Sequence, residues 1–318
     1  MERLLAALRP DSFTLMIVGV VALATVLPAT GDAVPILDVA VRASVMALFF
    51  LHGARLARET VLQALGHWRL QALILLLTFA LFPLLGLLGR PLLSHVLEPS
   101  LYLGVLFLCC LPSTVQSSIA FTSVGQGNVP AAACAASASN LAGIVITPIL
   151  TGWLLARQGE VSLGAAWSIV TLLLLPFVAG QVARPWLGEW IGRRRLLLTT
   201  VDRGAILLMV YAAFGKAVVG GVWHRVSAWD LLLVLLVCVV LLAAVVALAV
   251  LAARRLGFSR EDEVAVVFCG SMKSLVTGMP MANVLFPGAQ AGILVIPLIV
   301  FHQFQLLACA VLARRYGK

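Results

Sequence analysis

Two short runs of this chain carry the residue types that hold an ion or a polar solute. The first is Leu111-Pro112-Ser113-Thr114-Val115-Gln116-Ser117-Ser118 and the second is Cys269-Gly270-Ser271-Met272-Lys273-Ser274. Each interrupts an apolar stretch with small polar residues, and Gln116 and Lys273 fall in corresponding places of the two halves. A hydrocarbon layer offers no water to freed amides and carbonyls, so interrupted backbone persists there only where protein packs it or a polar cavity meets it. A helix that stops and restarts at that depth exposes carbonyls at one end of the gap and amides at the other, with partial charges of opposite sign. Matching breaks in two halves of a chain point to an alternating-access transporter.

Around the first break, Thr114, Gln116, Ser117 and Ser118 supply side-chain oxygens. The following apolar helix adds Ser137, Ser139 and Asn140, of which Ser137 and Asn140 share a face by their spacing of three. Around the second break stand Ser271, Lys273 and Ser274. Hard monovalent cations take oxygen ligands, which makes Ser117, Ser118, Ser137 and Asn140 a candidate sodium site. The plainer account of the same side chains is interhelical hydrogen bonding and close packing, which membrane helices use freely. Lys273 is the sharpest single residue, because an ammonium deep in a bilayer costs at least about 2.5 kcal/mol and persists only with partners or water. Three readings are open for it. It stands where a sodium ion would sit and donates to the carbonyl ends of the break; it loses its proton on desolvation and couples transport to protons; or it pairs with an anionic substrate.

Other polar positions read as structural. Asp38 and Arg42 are four apart, acid first, and are expected to pair along one helical face. Lys216 is expected to reach outer water, and His302, Gln303 and Gln305 to be satisfied within a helix bundle. No nucleophile beside a base, no phosphate-cradling loop and no metal-ligand spacing stands out, so an enzyme is the minority reading and sodium is the one cofactor-like ion implied.

The elements that must position these residues follow from composition. The chain is 62% hydrophobic and 11% charged, far from a soluble domain. Between Pro99 and Ala156 there is no charged residue or histidine, and a crossing needs only about 20 apolar residues. Apolar runs between charges give ten spans, near 12–30, 33–53, 70–89, 100–124, 129–156, 162–182, 204–223, 231–253, 264–287 and 290–313. The first is longer than a signal core and is followed by further spans, so it is read as a retained helix. The net charge of +9 sits in short blocks: Arg55, Arg58 and Arg69; Arg184, Arg193, Arg194, Arg195 and Arg203 in a long basic loop at 183–203; Arg254, Arg255 and Arg260. With Arg3, Arg9, Arg314, Arg315 and Lys318 these face the cytoplasm under the positive-inside rule, against Arg90, Arg157 and Arg225 opposite. Both termini are thus expected inside a bacterial inner membrane, and the same distribution argues against nucleic acid as a partner. All six cysteines lie in apolar runs and read as packing residues.

Five spans on either side of the basic loop give an all-α polytopic protein of two inverted five-helix repeats, 1–160 and 161–318. The broken segments are spans four and nine. Partners are the lipid bilayer, a small organic solute and sodium or a proton, with monomer and homodimer both open.

The run Cys109-Cys110-Leu111-Pro112-Ser113-Thr114-Val115-Gln116-Ser117-Ser118, continuing through Gly127-Asn128-Val129 to Ser137-Ala138-Ser139-Asn140, resembles the first crossover region of the bile acid:sodium symporter superfamily. The likeness extends to Cys269–Ser274 and, in span layout, from about residue 12 to 314. It looks closest to the branch of uncharacterised bacterial symporter-like proteins and the vertebrate orphan member linked to cellular calcium regulation, on the stretch 116–123 and the pair Lys273-Ser274. The resemblance implies a core domain (70–156 and 231–313), a panel domain (12–53 and 162–223), two broken helices crossing in the core, two sodium ions behind the crossing and a solute between the domains. Under it, Ser117 matches a family serine at the first sodium site, Ser118 stands where the family has asparagine, and Ser137 lies near a family hydroxyl. Cys269 stands at the family's acidic position and Lys273 at its glutamine position. An anion lost and a cation gained repel a second sodium.

The sequence therefore supports a secondary active transporter of an organic solute, an anion among the candidates, coupled to sodium or to protons through Lys273. The rival is a non-transporting membrane regulator or scaffold that keeps the transporter fold.

Overall fold

A chain this apolar must satisfy its backbone from within, and it does so as helix. The computed structural model describes residues 12–55, 67–156, 163–286 and 290–318, and the regular secondary structure among them is helical. In chain order the helices are α1 (Ser12–Val26), α2 (Ala33–Arg55), α3 (Trp68–Leu88), α4 (Arg90–Val96), α5 (Pro99–Cys110), α6 (Gln116–Val124), α7 (Val129–Ala156), α8 (Leu163–Arg193), α9 (Arg195–Val219), α10 (Val222–Arg225), α11 (Ala228–Arg255), α12 (Arg260–Ser271), α13 (Leu275–Leu285), α14 (Gln290–Leu294) and α15 (Ile296–Tyr316). Seven stretches of the described residues are long and apolar enough to cross a bilayer, which makes this an integral membrane protein. The α5–α6 and α12–α13 pairs are the two interrupted segments, with gaps at 111–115 and 272–274.

Three helix starts outside the breaks are capped by their own sequence. Ser227 and Asp230 form a reciprocal capping box at the start of α11. Ser259 accepts from the Asp262 amide at the start of α12, and Glu261, Asp262 and Glu263 set negative charge against that helix's positive end. Glu98 caps α5 through the Leu101 amide, with Pro99 next to it where no amide is needed.

In two places the structure departs from the sequence reading. The expected basic loop at 183–203 is helix almost throughout, α8 running to Arg193 and α9 starting at Arg195. Trp186 and Trp190 are exposed there and the Arg194 guanidinium lies 4.6 Å from the Trp190 ring, a pattern of aromatic and basic side chains that suits the headgroup layer and lets the helix continue past the hydrocarbon. Asp38 pairs not with Arg42 but with the Lys216 ammonium of α9, because helix packing brings that partner across from 178 positions away in sequence. The basic residues Arg3, Arg9, Arg58 and Arg157, and positions 287–289 of the loop before α14, lie outside the described residues.

Helices α1, α2, α8 and α9 pack on one another, with α8 lying along α2. The remaining long helices pack around the two breaks, and α7, α13 and α14 meet the first group. The α2–α8 seam depends on small residues. A methyl group on Gly53 would run into the Phe177 carbonyl, and one on Gly180 into the Phe50 carbonyl. Glycine at these sites lets two backbones touch, the usual membrane substitute for a hydrophobic drive between helices. Gly53→Ala and Gly180→Ala should each lower thermal stability in detergent by about 1–3 kcal/mol despite alanine's better helix propensity. Gly19→Ala, where no atom lies within 4 Å, should not.

Candidate functional site

The first break leaves five successive carbonyls without helical partners, and each finds one. Lys273 Nζ donates to the carbonyl oxygens of Cys109 at 2.9 Å and Leu111 at 2.7 Å. Thr147 Oγ1 donates to Cys110 O at 2.8 Å, the Ser274 amide to Pro112 O at 2.9 Å, and Asn140 Nδ2 to Ser113 O at 2.6 Å. The Ser113 amide donates to Ser139 Oγ. At the second break the Lys273 peptide is held on both sides by one side chain: its N–H donates to Gln305 Oε1 and its carbonyl accepts from Gln305 Nε2, both at 2.8 Å. Ser274 Oγ accepts from the Thr277 amide and caps α13. The two gaps thus cross and touch directly, as interrupted backbone in hydrocarbon requires.

Lys273 is fully buried and gives its third hydrogen bond to Thr78 O, at 2.8 Å. The reason that carbonyl is available lies in α3. Residues Leu77–Leu81 form a π-helical turn in which the Phe82 amide bonds Leu77 O, and the residue that would serve Thr78 O in that register is Pro83, which has no N–H. The Phe82 ring completes the cage, its centroid 4.1 Å from Nζ. Three carbonyls and an aromatic face therefore surround one ammonium. Of the three readings for Lys273, this is the geometry of the first, a cation donating to the carbonyl ends of the break. Its donors are spent on the protein and it does not line the cavity described next.

In front of the crossing lies a cavity of about 490 Å³ between the two helix groups. Thr114, Gln116, Ser117, Ser137, Asn140 and Ser274 all line it, with Thr277 and His302 beside them. Ser118, Ser139, Ser271 and Lys273 do not. Ser118 Oγ turns inward to Phe268 O, Ser113 and Thr114, and Ser271 Oγ donates to Val267 O within its own helix. Of the candidate sodium ligands, Ser117 and Ser137 face the cavity, whereas Asn140 is engaged on both sides, donating to Ser113 O and Ala136 O and accepting from Thr277 Oγ1 at 2.7 Å.

The opposite wall holds residues that sequence reasoning did not single out. Arg55 and Asp202 form a two-pronged ion pair at 2.8 and 3.3 Å, flanked by His52 and Arg203, with Phe13, Phe49 and Phe177 as apolar wall. In the sequence alone Arg55 and Arg203 count only as positive-inside charge. The available signal was Asp202, the single acid between Glu189 and Asp230 and one residue from an arginine. Among the described residues no three His, Cys, Asp or Glu side chains come together as a metal site.

Crossed helix breaks beside a solute-sized cavity, in an apolar all-helical chain, belong to a membrane transporter. The chain is a member of the SBF-like CPA transporter family, which it matches over residues 11–318. An uncharacterized protein of Pseudomonas aeruginosa is 51% identical over 97% of this chain and 93% of that protein. YfeH of Escherichia coli, named as a candidate symporter, is 50% identical over 97% of this chain and 93% of its own. Sodium/bile acid cotransporter 7 of Mus musculus is 29% identical over 85% of this chain and 80% of that protein. The resemblance to bile acid:sodium symporters is borne out at the level of the family.

Replacing Lys273 by methionine keeps the volume and removes the three donors, leaving Thr78, Cys109 and Leu111 carbonyls buried without partners. At about 1–3 kcal/mol for each orphaned group, Lys273→Met should cost at least about 3 kcal/mol in unfolding measurements. A variant as stable as the parent would show that the ammonium does not hold the crossing together.

Proposed function

We propose that this protein is a secondary active transporter that carries an organic anion across a bacterial inner membrane by alternating access. The observation that carries the reading is the cavity itself. One wall is built from the polar residues of both breaks and the other from Arg55, Asp202 and Arg203, and its volume lies within the few hundred to about 1,000 Å³ usual for small-molecule sites. Its described charged side chains are two arginines against one aspartate, which favours an anion with an apolar body. In this reading α1, α2, α8 and α9 are the panel, the helices around the breaks are the core, and ten crossings form two inverted repeats. In this reading the cavity opens on the side of Arg55, Arg203 and the arginines at the α8–α9 corner. Under the positive-inside rule that side is cytoplasmic, so the conformation is inward-facing with both termini inside.

The carbonyl cage supports a resident cation. The Lys273 ammonium supplies there, within the chain, the charge that a soluble ion would otherwise bring. A sodium ion at Ser117, Ser118, Ser137 and Asn140 would have to compete with the Thr277 hydroxyl for Asn140 Oδ1 and draw in Ser118, which does not line the cavity, and this favours transport that does not depend on sodium. Methylammonium is small enough to enter the cage when the lysine is cut back. Lys273→Ala should therefore regain thermal stability in millimolar methylammonium and not in choline, and parent flux should be equal in sodium and potassium media. Flux that requires sodium would overturn the resident-cation reading.

Purified protein in sealed liposomes tests the transport reading, with labelled cholate and a series of smaller carboxylates and sulfonates as probes. Uptake above protein-free vesicles, competed by unlabelled probe, is expected. A well-folded protein that moves none of them would favour the rival, a membrane regulator or scaffold built on a transporter fold.

A further inference from the structure

The Arg55–Asp202 pair joins α2 to α9 across 147 positions of sequence, and the bland account of it is a brace between two helices. Three features go beyond a brace. The pair forms part of the cavity wall, its side chains 25% and 12% exposed, so an entering solute reaches it without unfolding anything. Asp202 is the one carboxylate among the described lining residues. The Arg55 Nε is buried and has no hydrogen-bond partner, so the guanidinium has a donor that Asp202 does not use.

We infer that Arg55 is the anion-binding residue of the cavity and that Asp202 is a proton-operated stand-in for the solute: a carboxylate or sulfonate takes the place of Asp202 on the Arg55 guanidinium when Asp202 accepts a proton. This rests on the anion-transport reading above and adds the driving ion to it. The balance is simple. One proton from solution forms the O–H bond of the Asp202 carboxylic acid, the Arg55–Asp202 ion pair opens, and the solute anion closes a new pair with Arg55. The net charge of the site is the same before and after, because one proton and one anion enter together.

Electrostatics makes the exchange obligatory. With Asp202 ionised, an anion meets a neutralised arginine and a nearby carboxylate that repels it. An anion that displaced the ionised carboxylate would leave a buried charge unpaired, which is costly. With Asp202 protonated, Arg55 and Arg203 are both open to the anion. The Arg203 guanidinium is parked 5.3 Å from the Phe13 ring, beside the same space. The other titratable groups facing the pair are His52 on α2, one turn before Arg55, and His302 on α15 across the cavity. The remaining described lining residues, from α1, α6, α7, α8 and α13 and from the gap before α6, are neutral. The apolar wall of Phe13, Phe49, Phe177 and Ile206 would hold the body of the solute, leaving its charged group on the arginines.

Calorimetry of cholate binding to the full-length protein, in two buffers of different ionisation enthalpy, reads the linked proton directly. Uptake of about one proton per cholate is expected, with affinity falling about tenfold for each unit rise in pH. Asp202→Asn, whose amide imitates the protonated acid, should take up no proton and hold its affinity at the low-pH value across the range. Asp202→Glu should restore the slope, and Asp230→Asn, in the distant capping box of α11, should leave it as in the parent. In liposomes, an inward proton gradient should drive accumulation by the parent. The Asp202→Asn variant should exchange labelled for unlabelled cholate without accumulating it. Cholate that binds the parent with no proton uptake, or a pH slope that survives in Asp202→Asn, overturns the inference and leaves the transport reading standing. A parent that binds no cholate at any pH overturns the anion reading of the cavity, and this inference with it.

Discussion

One buried ammonium makes the rest of this structure permissible. Two helices that stop in a hydrocarbon layer leave carbonyls that no solvent will meet, and the strongest of those demands is answered by Lys273, whose three protons go to Cys109, Leu111 and Thr78. A charge at that depth is costly by itself, and unpaired carbonyls at that depth are costly by themselves. Brought together they cancel, because the negative end of α5 and the orphaned carbonyl of α3 form an electrostatic well of the right sign. The same contact fastens α3, α5 and the α12–α13 gap into one body. Gln305 adds α15 by clamping the lysine's own peptide.

A division of labour follows between the two sides of the crossing. Behind it, hydroxyls such as Ser118, Ser139 and Thr147 spend their capacity on protein partners, which fixes the geometry. In front of it, Gln116, Ser117 and Ser137 face open space. The least committed side chains therefore lie on the surface between the two helix groups. The glycine seam between α2 and α8 makes the facing wall a unit in its own right, since backbones in contact do not slide independently. Two stiff bodies with a polar space between them suit rocking of one against the other better than local deformation of either.

How much of this was legible in the sequence depended on range. Both breaks were, because small polar residues inside apolar runs have no other cheap explanation, and the seven long apolar spans among the described residues followed from the same hydropathy. Lys273 was legible as a cation needing partners, and the carbonyls of the first break were named as candidates. Thr78 was not, for its carbonyl is freed by a π-turn register that makes Pro83, five residues on, its missing donor, a consequence of backbone geometry that side-chain types do not advertise. Gln305 was read as a bundle residue because nothing local says that it will face an unwound peptide. The Arg55–Asp202 pair was hidden by separation: each residue, taken alone, was a charge near a span end. The Asp38–Arg42 pairing failed for the complementary reason. Local spacing offered a partner, and tertiary packing supplied Lys216 instead.

The position of Lys273 also constrains where coupling arises. A group couples an ion to a solute only if its charge or occupancy differs between states that the solute distinguishes. In the resident-cation reading, an ammonium with all three protons donated and no place on the cavity wall keeps its charge while the solute comes and goes. The variable group must then be one that touches both the solute space and a source of protons or ions. Among the described charged residues of the cavity, the arginines do not change charge at any physiological pH, so they attract an anion without coupling it to anything. In the inference drawn above Asp202 is that group, because it and the solute compete for one guanidinium. On this reading a resident cation at the crossing and an exchangeable carboxylate on the opposite wall are two halves of one arrangement: fixing the charge at the crossing moves the ion-dependent step to the other side of the cavity.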